Sequence, residues 1–257
     1  MNTRIYHIAT NTFREAVRDR VLYNLIAFAL LMTGAAVLVG QISIDIEKLV
    51  VINLGLTAVS LFGVVIAIFI GIGLVSKEIE KRTLYTVLSR PVKRWEFIAG
   101  KFYGLAGTLI VNTACMAVGV FAALAFVSHF QHSDTTVLVA LYFIILQFVM
   151  ITALALLFSS FSSPLLSAVF AFSLFVIGTF AEDLRGFAKL AHGVSRGLAT
   201  VAAYIVPNFS ALNVINQAAH AQGVSHQLIF YNTVYALLYT LAVLSGAVLI
   251  FERRNLK

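Results

Sequence analysis

Residues 49–76 read LVVINLGLTAVSLFGVVIAIFIGIGLVS, 28 consecutive positions without Lys, Arg, Asp or Glu. A helix crosses the hydrocarbon core of a bilayer with about 20 predominantly apolar residues. The run does not alternate apolar and polar positions, as the strand of a membrane barrel would over about ten residues. Lipid offers no partner to backbone amides, so a continuously apolar run of this length has to close its own hydrogen bonds as a helix. The stretch therefore reads as a transmembrane helix.

Working outward, the 29 charged residues (18 basic, 11 acidic) leave four more charge-free stretches, at 21–44, 102–133, 135–181 and 197–251. The 135–181 stretch is long enough for two spans, divided at Ser159-Ser160-Phe161-Ser162-Ser163-Pro164, where a serine-rich turn meets a helix breaker. The last stretch holds one clear span, Leu228–Ile250. The expectation is an all-α membrane protein with six transmembrane helices near 21–40, 50–75, 103–127, 137–158, 165–181 and 228–250, forming one membrane domain over 1–257. Composition agrees: 60% hydrophobic and 11% charged, with a mean hydropathy of +0.95. A soluble domain is about 25% charged, so a soluble enzyme, a disordered chain and a nucleic-acid-binding domain are excluded. Cys115 is the one cysteine and lies in an apolar run, which excludes a disulfide framework.

The basic residues set the orientation. Fourteen fall in 1–20, 76–101 and the tail, and four (Lys48, Arg185, Lys189, Arg196) fall in the other connections. By the positive-inside rule both termini face the cytoplasm, and the net charge of +7 is a topology signal with no nucleic-acid partner behind it. Residues 2–20 place Ile5, Ile8, Ala9, Phe13, Ala16 and Val17 at helical spacing among charged positions. This predicts an amphipathic helix in the cytoplasmic interface; a short extension of the first span is the alternative. The external segment 182–227 contains one apolar piece, Leu198–Val206, too short to cross. It is either a re-entrant or interfacial helix or a surface loop.

Several chemistries are missing. No charged residue lies inside a predicted span, whereas proton- and ion-coupled carriers keep ionisable relays there. No histidine stands mid-span to ligate haem. Gly100-Lys101 is followed by Phe102, and Trp95 occupies the place of the first glycine of a phosphate-binding loop. If ATP is used, another chain binds it. His129 and His132 stand three apart beside Asp134; a solvated loop explains them better than a metal site, since spacing alone is little evidence. No catalytic constellation and no metal site are expected.

The informative segment is Ser76–Lys101, SKEIEKRTLYTVLSRPVKRWEFIAGK. A charged run leads into a short apolar helix at Thr83–Leu88, Pro91 ends it, and a basic turn opens the next helix. Such an element, held between two spans, can press into a partner's groove and pass motion to the attached helices.

On these residues the chain resembles the ABC-2 type permeases, the membrane subunits of ATP-binding-cassette exporters. Glu78 and Glu80 match the family's acidic pair, Thr83-Leu84 and Leu88-Ser89-Arg90-Pro91-Val92 its middle, and Arg94, Glu96 and Gly100-Lys101 its end; Arg82 stands where many members have glycine. The interfacial helix, six spans and long external segment match too. The resemblance implies a cytoplasmic-membrane exporter with no cofactor of its own. Two permease chains, as homo- or heterodimer, would surround a path, and two copies of an ABC ATPase carrying ATP and Mg would dock beneath. Thr83–Leu88 would be the coupling helix, and Glu78, Glu80, Arg82, Thr83, Leu84, Leu88, Ser89, Pro91, Arg94, Gly100 and Lys101 the coupling residues.

For the path itself, Asn53, Asn112, Gln147 and Asn232 are polar residues within predicted spans. Such groups turn away from lipid and either line a path or bond helices together. Asn53, Asn112 and Gln147 are the path candidates. Gly100-x-x-x-Gly104 permits close helix contact. The competing functional readings are an ATP-independent carrier or channel, and a membrane anchor or assembly factor.

Overall fold

The computed structural model of the chain describes residues 3–18, 28, 31–32, 35, 38–39, 47–80, 93–127, 135–190 and 194–253, with backbone alone at 74–80, 188, 194–195, 198–199, 202–203 and 253. The described residues form an all-helical bundle. Helix α1 is Thr3–Arg18, α2 is Glu47–Glu80, α3 is Arg94–Val127, α4 is Thr135–Phe161 and α5 is Pro164–Thr179. Two short helices follow, α6 (Ala181–Leu190) and α7 (Val194–Ile205), then a 3-10 turn at Ser210–Leu212, α8 (Ile215–Ala219) and the long α9 (His226–Arg253). Phe28, Leu31, Met32, Ala35, Leu38 and Val39 of the first expected span are helical. The ring of Phe28 lies 4.4 Å from that of Phe62 on α2. The rest of that span lies outside the described residues.

Four helices, α2, α3, α4 and α9, are long and apolar enough to cross a membrane, and α5 with the start of α6 makes a fifth candidate bent by 62°. Each of the four is apolar around its whole circumference, as expected of a helix with no water-facing side. Helix α4 is the hub: it packs on α2, α3, α5, α8 and α9, and Phe143, Met150, Ile151, Ala153 and Ala155 along it are fully buried. Among the described residues the expected break is where the sequence puts it. Helix α4 ends at Phe161, and Ser163 in extended conformation precedes Pro164 at the first turn of α5, the position where a missing N–H costs nothing.

Two boundaries differ from expectation. Helices α2 and α3 have 34 residues each, about 51 Å at 1.5 Å per residue, against roughly 30 Å of hydrocarbon. Both are longer than the hydrocarbon is thick, and most of their charged residues lie at the end where 81–93 joins them. The expected 26-residue loop is thus helical over 76–80 and 94–101. Glu, Lys and Arg interrupt an apolar run but are good helix formers, so the spans end before the helices do. The second is in segment 182–227: of the two readings of Leu198–Val206, short helix or loop, the helix holds, but α7 starts four residues earlier, at Val194, and ends at Ile205, and it packs against α6 as a helical pair. Helix α6 has Glu182 and Asp183 in its first turn and Lys189 in its last, the arrangement that complements the helix dipole.

Candidate functional site

Two features stand at opposite ends of the bundle. At the end carrying Arg94 and Phe251, α1 packs along the start of α3. The contact is possible because α3 presents glycine there. A Cβ on Gly100 would lie 2.6 Å from Ile8 Cγ2, and one on Gly104 would lie 2.6 Å from the carbonyl oxygen of Ala9. Charged groups tie the same surfaces. Arg4 Nη1 lies 3.8 Å from Glu96 Oε2, and Lys101 Nζ lies 4.0 Å from Glu15 Oε2. The Lys101 ammonium also stands 5.8 Å from the centroid of the Phe97 ring. Both Glu96 and Lys101 are buried, and a buried charge is tolerated only where others meet it.

Glu96 has a local duty as well. It is the third residue of α3, and its Oε2 accepts from the Lys93 backbone N–H at 3.0 Å, one half of a capping box. Beside it, Arg94 Nη1 donates to the carbonyls of Phe251 (2.6 Å) and Glu252 (3.0 Å). These lie in the last turn of α9, where carbonyls have no partner within the helix. The guanidinium lies over the Phe251 ring, which stacks on Phe97. One short stretch, Arg94–Gly104, therefore joins α1, α3 and α9.

Of the expected coupling residues, Arg94, Gly100 and Lys101 are brought together in this junction, where Gly100 and Lys101 meet α1. Glu78 and Glu80 fall in the last turns of α2, with side chains outside the description. Arg82, Thr83, Leu84, Leu88, Ser89 and Pro91, and with them the Thr83–Leu88 helix, lie outside the described residues, as do His129 and His132. The partners on α1, Arg4 and Glu15 with Ile8 and Ala9, were not singled out as site residues. Their signal was the glycine spacing on α3, which states that something approaches closely but not what.

At the other end a cavity of about 250 Å³ opens between α2, α4, α5 and the 206–216 connection. Asn53, Thr57 and Ser60 line it from one face of α2, Gln147 from α4, and Ser210, Asn213 and Asn216 from the connection; Phe175, Phe209 and Leu61 add apolar wall. Gln147 Nε2 donates to Ser60 Oγ at 3.3 Å, and Thr57 Oγ1 to Asn53 Oδ1 at 3.4 Å. The connection is firmly held. The Asn208 N–H donates to Tyr235 Oη (2.8 Å), Asn208 Oδ1 accepts from Ser210 Oγ (2.6 Å), and Asn232 Nδ2 donates to the Ala211 carbonyl (2.6 Å). The Phe209 N–H donates to the Gly178 carbonyl at 3.0 Å.

Two of the three expected path residues, Asn53 and Gln147, thus share one cavity. Asn112 does not line it. Its side chain is buried on α3, and Oδ1 has no hydrogen-bond partner among the described residues. Asn232 serves the interhelical alternative, anchoring the connection to α9.

Residues 6–256 match the family model described as ABC-2 family transporter protein. Among curated proteins, none matches the chain.

Proposed function

The chain belongs to the ABC-2 family of transporter proteins, and from that premise we propose how it is oriented and driven. It is a multi-pass membrane permease, the kind of subunit that forms a passage and does not itself carry out catalysis. In the proposed arrangement the chain crosses the cytoplasmic membrane six times, with the Arg94 end and both termini in the cytoplasm. Two permease chains, identical or paralogous, enclose the path. Two copies of an ABC ATPase, holding ATP and Mg, dock beneath them, and closure of the ATPases drives export. Residues Thr83–Leu88 form the coupling helix.

The observation that carries this reading is that α2 and α3 are longer than the bilayer's hydrocarbon is thick and hold most of their charged residues at the end where residues 81–92 connect them. A push on that connection acts on two rigid helices. The foot of α3 is braced by α1 through Gly100, Gly104 and the Arg4–Glu96 and Glu15–Lys101 pairs. Arg94 links it to the end of α9. Gly100 and Lys101, covered by α1, then act through α1 and not by touching the ATPase.

The test begins with affinity purification of the tagged chain from its native membrane, which should bring down an ABC ATPase in near-equal amount. Replacing residues 83–88 by a Gly/Ser linker should leave membrane insertion intact and remove the ATPase. A complex that survives the replacement, with ATP hydrolysis still responsive to cargo, would exclude this segment as the coupler. A chain that never brings down an ATPase would favour the carrier or assembly-factor reading.

A further inference from the structure

The cavity at the far end is built unlike the helix packing around it. Asn53, Gln147, Asn213 and Asn216 bring four carboxamides to one space, each with two donors and an acceptor oxygen. Thr57, Ser60 and Ser210 add hydroxyls. Across the cavity Gln147 Nε2 reaches Ser60 Oγ at 3.3 Å, and within one face of α2 Thr57 reaches Asn53 at 3.4 Å, both at the long limit of hydrogen bonding. Thr57, Asn213 and Asn216 are exposed toward the mouth, where Asn213 Oδ1 also accepts from the Ile215 N–H at 3.3 Å, whereas Gln147 is buried, and a polar group at that depth is costly unless satisfied; a guest that bonds to Gln147 would satisfy it. Gln147, the thirteenth of the 27 residues of α4, is 5% exposed, so the polar lining extends to about the middle of the helix.

Three properties define that guest. None of the lining residues among those described is charged, and an ion without a counter-charge would pay the cost of desolvation there. The guest is therefore uncharged. The rings of Phe175 and Phe209, 5.6 Å apart and tilted by 53°, offer an apolar wall to a carbon skeleton. The volume of about 250 Å³ is roughly eight times the liquid share of one water molecule, room for a guest of monosaccharide size. We infer that this cavity binds a small uncharged polyhydroxy solute, through the carboxamides of Asn53 and Gln147 below and those of Asn213 and Asn216 at the mouth. The inference rests on the permease reading in one respect, that such a solute is the cargo; binding itself needs no ATPase.

The experiment uses the purified full chain in lipid nanodiscs, without ATPase, and equilibrium dialysis of three radiolabelled probes of one size: glucose, the cation glucosamine and the anion gluconate. Wild type should bind glucose saturably, and the two charged analogues at least tenfold more weakly. Gln147→Leu should weaken glucose at least tenfold, while Asn112→Leu, which removes a buried carboxamide outside the cavity, should not. If Gln147→Leu fails to fold, Asn216→Leu, at the exposed mouth, should give a several-fold loss. Absence of saturable glucose binding, equal binding of the charged probes, or indifference to the cavity variants would overturn the inference. Each of these results leaves the permease reading standing, because that reading is decided by co-purification. Saturable glucose binding by a chain that never associates with an ATPase would keep the site and remove the transport cycle.

Discussion

At Gly104 the backbone of α1 occupies the place where a side chain of α3 would otherwise be. The Ala9 carbonyl and Thr12 Cβ both stand 2.6 Å from the position of a Cβ there. Contact this close brings whole backbones into van der Waals range, which is how helices associate where lipid removes the usual hydrophobic advantage. Gly104→Leu should therefore lift α1. Overpacking of this kind costs about 1–3 kcal/mol, which corresponds to roughly five- to hundred-fold faster opening. Hydrogen exchange of the α1 amides should accelerate by that factor. Gly107→Ala is the control, since its Cβ would meet the Phe13 ring at an ordinary 3.6 Å. Unchanged protection of α1 in Gly104→Leu would mean that α1 is not held at this seat. The residue scale is also where the sequence was hardest to read. Asn53, Thr57 and Ser60 stand at helical spacing and so share a face, which is visible in the chain. Their partner Gln147 is 87 residues from Ser60, and nothing in local pattern selects it over Asn112, another carboxamide within an apolar run.

At the scale of elements, the reading of spans rests on the exclusion of charge from hydrocarbon: among the described residues four uncharged runs fall within helices long and apolar enough to cross, and α5 with the start of α6 makes a bent fifth candidate. The ends of the helices were not, because helix formation and membrane burial obey different rules. Residues 76–80 and 94–101 are too polar for lipid but well suited to helix, so α2 and α3 continue where the apolar runs stop. The amphipathic reading of residues 2–20 agrees with α1 as a helix; it assigned the apolar stripe to the membrane surface and did not foresee the packing on α3, since an apolar stripe fits a lipid surface and a groove on α3 alike. Arg94 shows how the elements are then joined. Its guanidinium caps the last turn of α9 through two carbonyls, each bond worth about 1 kcal/mol, somewhat more for a charged donor. Arg94→Gln should fray that turn, raising exchange of the amides near Phe251 roughly thirty-fold. Arg94→Lys should recover only part of the protection, because an ammonium can serve both carbonyls, as Nη1 does alone, but lacks the planar face that covers the Phe251 ring. Full recovery with lysine would show that a charged donor near the helix end is sufficient and that the planar face is dispensable.

At the scale of the whole molecule, chain parity bears on the number of crossings. Helix α1 sits at the Arg94 end, and α9 finishes there, with Phe251 beside Arg94 and Phe97. Helix α2 starts at the opposite end, with Asn53 near the 206–216 connection. Helices α2, α3, α4, α5 and α9 give five passages between the two ends. Two termini at one end require an even number, and the expected span near 21–40 would supply the sixth. Parity leaves open which end faces the cytoplasm; the fourteen-to-four division of Lys and Arg predicts the Arg94 end. Two single-cysteine chains in a Cys115→Ser background test both points together. Asn11 on α1 and Gln222 before α9 are exposed and, by this argument, lie on opposite sides of the membrane. In intact cells a membrane-impermeant thiol reagent should label Gln222→Cys and spare Asn11→Cys until the membrane is opened. Labelling of Asn11→Cys alone would invert the orientation while keeping the sixth passage. Labelling of both in intact cells would place α1 on the outer side with Gln222, which the packing of α1 against Gly100 and Gly104 forbids, and the parity argument would fall with it.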